Sequence, residues 1–237
     1  VDMLQKMVPS KVFKEKPRLT DLDIRILETP TLAIDQSRKE LERMGDGCQK
    51  MVDWLGELLL QEEQDEEMGN RLRHRERVLD SIQDEVSEFI TGLLSGNVPH
   101  SVADEARRQL RVANEYESVS DYLANLEKFD RKLRKDGYRF TESQLQGLAS
   151  LNQKTSNYLT SINEGLRLQN LAIHMRTREA SKRIRSDIKE LRKEHLDKLS
   201  SGDIPPLVSV AYLAALNAYS RVRDHASEIA EVISSGV

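Results

Sequence analysis

The segments SGNVP (Ser95–Pro99) and EYESVSDYLANL (Glu115–Leu126) recur about a hundred positions later. The second copies read SGDIP (Ser201–Pro205) and AYSRVRDHASEI (Ala218–Ile229). The longer segments share a constant offset, with Tyr116, Val119, Asp121 and Leu126 matching Tyr219, Val222, Asp224 and Ile229. A repeat of this length indicates one supersecondary unit used twice, so equivalent positions in the two copies are the first candidates for function.

The composition is that of a helical protein. Charged residues make up 32% of the 237 positions, aromatic residues 5%, and only 6 prolines interrupt the chain. No apolar run approaches the roughly 18 uncharged residues of a membrane span. The N-terminal residues lack the apolar core of a signal peptide, and the single Cys48 cannot form an internal disulfide. We therefore expect a soluble, cytoplasmic, all-α structure.

The charge is unevenly distributed along the chain. Residues 1–135 carry a net charge of −6, whereas residues 136–237 carry +2. Neither half combines a strong basic field with aromatic residues, so we expect no nucleic-acid partner. The acidic first half is the better candidate for binding cations.

Hydrophobic spacing predicts six helices, at about 31–61, 65–94, 101–134, 142–170, 171–200 and 207–234. Leu72, Leu79, Val86 and Leu93 recur every seven residues, which predicts an apolar seam on the second helix. Ser101 and Thr141 are the predicted N-caps of the third and fourth helices, and Gly137 is a predicted C-cap. Short loops favour antiparallel neighbours. The prediction is two tandem three-helix bundles, at 29–135 and 138–237, preceded by a linker at 1–28.

Carboxylate spacing is the strongest chemical signal. Glu76, Asp80, Asp84 and Glu88 form an i, i+4 stripe on the second helix, and Glu117 and Asp121 repeat that interval on the third. Like charges at this spacing cost a few tenths of a kcal/mol per pair, so the stripe requires a compensating cation. Oxygen ligands on two neighbouring helices suit Mg²⁺, Ca²⁺, Mn²⁺ or ferric iron.

The alternative is a solvated face without a ligand. Its charge would be neutralised by nearby arginines, namely Arg73, Arg77, Arg107, Arg108 and Arg111. The second repeat keeps less of the acidic pattern, because Ser220 replaces Glu117 and Arg183 follows Glu179. Asp187 and Asp224 remain there as weaker candidate ligands, as does Glu76 in the first repeat.

The sequence offers no catalytic constellation. None of the five histidines follows a carboxylate by three residues, as a ferritin-like di-iron site requires. Phosphate-binding loops, nucleophile elbows and HExxH helices are also missing from the sequence. We therefore expect no enzyme activity, no catalytic residues and no organic cofactor.

The third helix of each repeat resembles the PhoU family, in which this helix reads close to ERIGDxAxNI. Glu117, Asp121 and Asn125 match that pattern, whereas the second repeat keeps Asp224 and Ala226 and lacks the glutamate. The resemblance extends over residues 30–235. It implies E(D)xxxD motifs that bind metal clusters on the bundle surface, with Asp80, Asp84, Glu117 and Asp121 as ligands.

The segment LDIRILETPTLAIDQSRKELERMG (Leu22–Gly45) is similar to the stretch that precedes the PhoU-like domain of bacterial sodium/phosphate cotransporters. This likeness implies a cytoplasmic regulatory domain of a phosphate transporter at the inner membrane. Its partner would be the membrane domain of the same polypeptide, and a homodimer stays open. The alternatives are a stand-alone PhoU-type signalling adaptor and a ligand-free helical scaffold.

Overall fold

The computed structural model describes residues 19–199 and 204–236, and these residues form six α-helices joined by loops and one short 3-10 helix, Ile24–Glu28. The α-helices are α1 (Pro30–Leu60), α2 (Glu66–Leu94), α3 (His100–Lys135), α4 (Glu142–Arg167), α5 (Ile173–Leu199) and α6 (Pro206–Ser234). The described residues contain no β-strand, which confirms the all-α prediction. Most of the predicted linker, and the start of the second SGDIP turn, lie outside the described residues.

The helix ends follow the predicted chemistry at two of three positions. Thr141 forms a capping box with Gln144 at the start of α4, and Gly137 has the positive φ of +79° expected after α3. The prediction for Ser101 is wrong, because α3 begins at His100 with Pro99 as its N-cap. Proline carries no backbone N–H, so it can precede a helix without losing a hydrogen bond.

Each set of three consecutive helices packs around its own apolar faces. The predicted seam of α2 is buried, with Leu72, Leu79, Val86 and Leu93 all facing the interior. The two sets also pack on each other, α3 against α6 and α1 against α4. One continuous hydrophobic core therefore serves both repeats. The predicted residue limits of the two bundles stay a prediction.

The repeat is visible in the hydrogen bonds of the core. Tyr116 and Tyr219, which occupy equivalent positions, are both completely buried. The Tyr116 hydroxyl donates to Asn163 at 2.8 Å, and the Tyr219 hydroxyl donates to Asn152 at 2.9 Å. Each asparagine amide then donates to a backbone carbonyl of α1. These bonds join α4 to α1 and to the third helix of each set.

The described end of the lead-in packs on α1 and α2. Leu22 is buried, and the Glu85 carboxylate accepts hydrogen bonds from the backbone N–H groups of Leu19 at 2.9 Å and Thr20 at 3.0 Å. The lead-in therefore meets the same helix that carries the acidic stripe. Its role as a tether stays a prediction. None of the helices in the described part of the chain is long and apolar enough to cross a membrane.

Candidate metal site

The relative position of α2 and α3 decides which carboxylates can act together. An ion pair between Arg73 and Glu127 and a 2.7 Å hydrogen bond from Gln83 to Asn114 fix the two helices in an antiparallel arrangement. Between these contacts, the segment of α2 around residues 76–80 lies level with the segment of α3 around residues 117–121. One turn further along α2, Asp84 lies level with Asn114 instead.

The acidic side chains lie on the outside of the helix pair, as their spacing predicts. Asp80, Asp84 and Asp121 are exposed, whereas Glu76 and Glu117 are half-buried. Their oxygens therefore face water next to the junction of α2 and α3. This placement leaves them accessible to a dissolved cation.

Three of these carboxyl groups resist ionisation. Partial loss of water is the largest cause in each case, raising the pKa values of Glu76, Glu117 and Asp121 above their ordinary range. Repulsion adds to it: Asp121 raises the pKa of Glu76 and of Glu117, and Asp80 raises the pKa of all three. We call Glu76, Asp80, Glu117 and Asp121 the acidic cluster.

Asp84 contributes less to this cluster than its place in the stripe predicts. The charges that raise the pKa values of Glu76 and Asp121 belong to the acidic cluster, and Asp84 is not among them. The reason is the alignment of the two helices, in which Asp84 lies level with Asn114 and not with Glu117. Glu76, a weaker candidate by sequence, is coupled to Asp80 and Asp121, and the role of Asp84 as a ligand stays a prediction.

The arginines that could neutralise this face are engaged elsewhere. Within the described residues, none of the five forms an ion pair with the acidic cluster or Asp84. Four pair with other carboxylates: Arg73 with Glu127, Arg107 with Asp104, Arg108 with Glu105 and Arg111 with Glu228. The fifth, Arg77, donates to the backbone carbonyl of Arg73 at 3.3 Å. Its charge lowers the pKa of Glu76, but by less than the other causes raise it.

The donor set fits a hard cation, but the side chains do not enclose one. No group of three or more histidine, cysteine, aspartate or glutamate side chains in the described ranges has the geometry of a metal site. The acidic cluster supplies only carboxylate oxygens, which suit Mg²⁺, Ca²⁺, Mn²⁺ and ferric iron. Like charges repel one another, so the four carboxylates would have to draw together around a cation.

The second repeat satisfies its remaining carboxylates with protein cations. Asp187 on α5 pairs with Lys154 at 2.6 Å, and Asp224 on α6 pairs with Arg223. Ser220 stands at the position of Glu117, as the sequence shows. The two repeats therefore share a backbone pattern and differ in the charge of this face.

A histidine that no sequence motif singles out lies beside the cluster. His225 on α6 stacks on Tyr122 of α3 with ring centroids 5.5 Å apart, and its Nδ1 lies 2.8 Å from Glu115. The charge of His225 lowers the pKa of Glu117, which opposes the repulsion from the acidic cluster. Only the packing of α6 on α3 brings this residue near, and no local motif indicates it.

Comparison with known proteins shows which family this chain resembles. A family model described as the PhoU domain matches residues 41–128, the region that holds the acidic cluster. These residues therefore resemble a PhoU domain. The resemblance inferred from the third helix is thereby confirmed. No curated protein has a significant sequence match to the chain.

Two solved structures share the fold. The phosphate transport system regulatory protein PhoU from Streptococcus pneumoniae superposes with a TM-score of 0.75 at 15% identity, covering 86% of this chain and 94% of that one. PhoU from Pseudomonas aeruginosa gives a TM-score of 0.67 at 14% identity, covering 86% of this chain and 96% of that one. The PhoU-like fold therefore extends beyond the matched domain into the second repeat.

Proposed function

We propose that this chain is a regulatory domain of phosphate transport, without catalytic turnover, that binds metal ions at the acidic cluster. The PhoU domain and the fold of the phosphate transport regulator from S. pneumoniae support the regulatory role. Metal binding rests on the cluster itself. Three carboxyl groups with raised pKa values lie together there, and no ion pair with the described residues compensates their charge.

The cluster's own residues give the proposal its mechanism. Glu76 and Asp80 on α2 and Glu117 and Asp121 on α3 would hold the metal, which would supply positive charge and a point of attachment for phosphate. Binding would favour the ionised forms of these carboxyls and draw α2 and α3 together. A differential binding free energy of about 1–3 kcal/mol between two states of a transporter suffices for regulation.

The lead-in offers a path from this face to a neighbouring domain. Glu85, one residue beyond Asp84 on α2, holds the backbone at Leu19 and Thr20. A shift of α2 on metal binding would therefore act on the segment that the cotransporter resemblance places next to a membrane domain. In this reading the chain works at the cytoplasmic side of the inner membrane, with that membrane domain as its partner.

A stand-alone adaptor is the second candidate. The observation that favours it is coverage, because the chain matches 94% and 96% of the two PhoU proteins of known structure. Such an adaptor would act on separate partner proteins, as a monomer or a homodimer. Membrane-spanning segments in the same open reading frame would favour the transporter domain, and a reading frame without them would favour the adaptor.

Phosphate uptake is the direct test of the regulatory role. Cells that lack the chain would be complemented with the wild type or with a variant carrying Glu76→Gln, Asp80→Asn, Glu117→Gln and Asp121→Asn. We expect that the variant fails to restore the response of phosphate uptake to external phosphate, so that its cells behave like the deletion strain. A variant with Asp187→Asn and Asp224→Asn should restore it. Normal regulation with the fourfold variant would refute a role for the acidic cluster, and normal regulation in the deletion strain would refute the function.

A further inference from the structure

The outer face of α5 is not covered by any described element. Within the described part of the chain, α5 packs against α4 and α6 alone. Its inner face carries the buried residues Ile173, Thr177, Ile184, Ile188 and His195. The opposite side of the helix is left facing outward over its whole length.

One flank of that exposed surface carries a regular row of cations, whereas Glu179 and Glu190 lie on its other flank. Seven exposed residues alternate at spacings of three and four, so they share one face of the helix. They are Met175, Arg178, Lys182, Arg185, Lys189, Arg192 and Leu196. At 1.5 Å per residue the five basic side chains span about 21 Å. We call these seven residues the basic row.

The row contains no acidic residue and is largely free of ion pairs. Lys182 pairs with Glu179 at 2.8 Å, but the other four cations form no ion pair with the described residues. The acidic residues of α5 lie to one side of the row, and Asp187 among them is paired with Lys154. Lys193, next to the row, adds a further positive charge.

Both ends of the row are apolar and exposed. Met175 is 66% exposed and Leu196 is 50% exposed, although each could have been polar at no cost to the core. Leu168, in the turn before α5, is 77% exposed. A line of cations attracts the anionic headgroups of a bilayer, and exposed apolar side chains at its ends can enter the interface.

We propose that the basic row binds the surface of anionic phospholipids. The cations would contact the headgroup phosphates, and Met175 and Leu196 would enter the boundary between headgroups and acyl chains. Lipids move laterally, so a straight row of charges can collect anionic headgroups without a pocket. The row lies on α5, which makes no contact with α2 or α3 in the described residues, and so it is independent of the acidic cluster.

Vesicle cosedimentation tests this proposal on the full chain. Vesicles of phosphatidylcholine alone would be compared with vesicles that also contain phosphatidylglycerol, at low and at high salt. Each cation near an anionic surface favours binding about fivefold, so Arg185→Gln, Lys189→Gln and Arg192→Gln together should lower the partition coefficient about a hundredfold. The wild type should bind only the anionic vesicles and dissociate as salt rises.

A matched control lies on α3. Lys128, Lys132 and Lys135 are exposed, have the same spacing and form no ion pair with the described residues. Replacing all three by glutamine changes the net charge equally and should reduce binding far less. An equal loss in both variants would show that overall charge and not the row is responsible, which would overturn the proposal.

The apolar ends distinguish a bilayer from an acidic protein. Leu196→Asn leaves the charge unchanged and should lower vesicle binding about tenfold. Wild-type binding to neither kind of vesicle would refute the proposal. Self-association that is lost when Arg185, Lys189 and Arg192 are replaced would instead identify the row as an interface between two copies. Circular dichroism of each variant would show that the helices are retained.

Discussion

Replacing Asp121 by asparagine should stabilise the metal-free protein. The Asp121 carboxylate lies one turn from Glu117 on α3 and is close enough to Asp80 on α2 for their repulsion to raise its pKa. Neutralising Asp121 removes its repulsion of Glu117 and the repulsion from Asp80, and the asparagine amide supplies a hydrogen-bond donor for Glu117. A substitution at a purely solvated position would leave the free energy of unfolding nearly unchanged.

The expected gain is modest and measurable. A like-charge pair at i, i+4 costs a few tenths of a kcal/mol, and the repulsion across the two helices adds a similar amount. We expect the free energy of unfolding to rise by about 0.5–1 kcal/mol, which corresponds to a Tm increase of about 1–4 °C in a chain of this length. Both values should fall as salt screens the charges.

The pH dependence follows from the direction of the pKa shifts. The pKa values of Glu76, Glu117 and Asp121 are raised in the folded protein, so folding disfavours their ionised forms. This lowers the free energy of unfolding. The loss is absent at a pH below the pKa values of these carboxyls in the unfolded chain, about 4, and is complete at a pH above their raised pKa values in the folded protein. The gain from Asp121→Asn should therefore be full at pH 7 and shrink as the pH falls through the folded pKa values.

Asp187→Asn is the matched control. Asp187 pairs with Lys154 at 2.6 Å, so the same chemical change removes an attraction instead of a repulsion. We expect a loss of about 0–0.5 kcal/mol. Urea unfolding in the presence of a chelator would measure both variants at several pH values. A destabilisation of Asp121→Asn equal to that of the control would refute the repulsion on which the candidate site depends.

Three further changes test the core and the helix ends by urea unfolding. Arg134→Met should lower the free energy of unfolding by about 3 kcal/mol. It removes three hydrogen bonds to backbone carbonyls at the end of α1 and leaves Asp130 without its ion-pair partner. A loss below 1 kcal/mol would show that water replaces these hydrogen bonds. Tyr219→Phe should cost about 1–2 kcal/mol, since the buried Asn152 oxygen loses its donor, and a neutral result would mean that Asn152 finds another one. Gly137→Ala should cost about 1–2 kcal/mol because its φ is +79°, whereas an unchanged midpoint would show that the turn relaxes.

The helices could be predicted from sequence because their signals are local. Each of these signals depends only on residues that are close together in the sequence. They are the seven-residue seam of α2, the capping pair of Thr141 and Gln144, and the C-cap Gly137. The packing of α3 on α6 and of α1 on α4 has no such local signal. It depends on contacts such as that of Tyr116 with Asn163, which join residues far apart in the chain.

The candidate site shows the same division. Spacing along α2 predicted an acidic surface stripe, and Asp80 and Asp84 are exposed, whereas Glu76 is half-buried. Which of them meets α3 depends on how the two helices are aligned, and this alignment is set by contacts that the sequence does not rank. The charges of Asp80 and Asp121 act on Glu76, and the role of Asp84 as a ligand stays a prediction. His225 lies near the acidic cluster because α6 packs on α3, which is also a contact between distant parts of the sequence.

Metal content tests the central claim most directly. The protein would be purified without chelator and its bound Fe, Mn, Mg and Ca measured per chain, beside the fourfold variant of the acidic cluster, the Asp84→Asn variant and the Asp187→Asn, Asp224→Asn variant. We predict stoichiometric metal in the wild type, none in the fourfold variant, and retention in the other two. A wild type that holds no metal, and whose Tm does not rise when these ions are added, would contradict a metal site and leave the ligand-free scaffold.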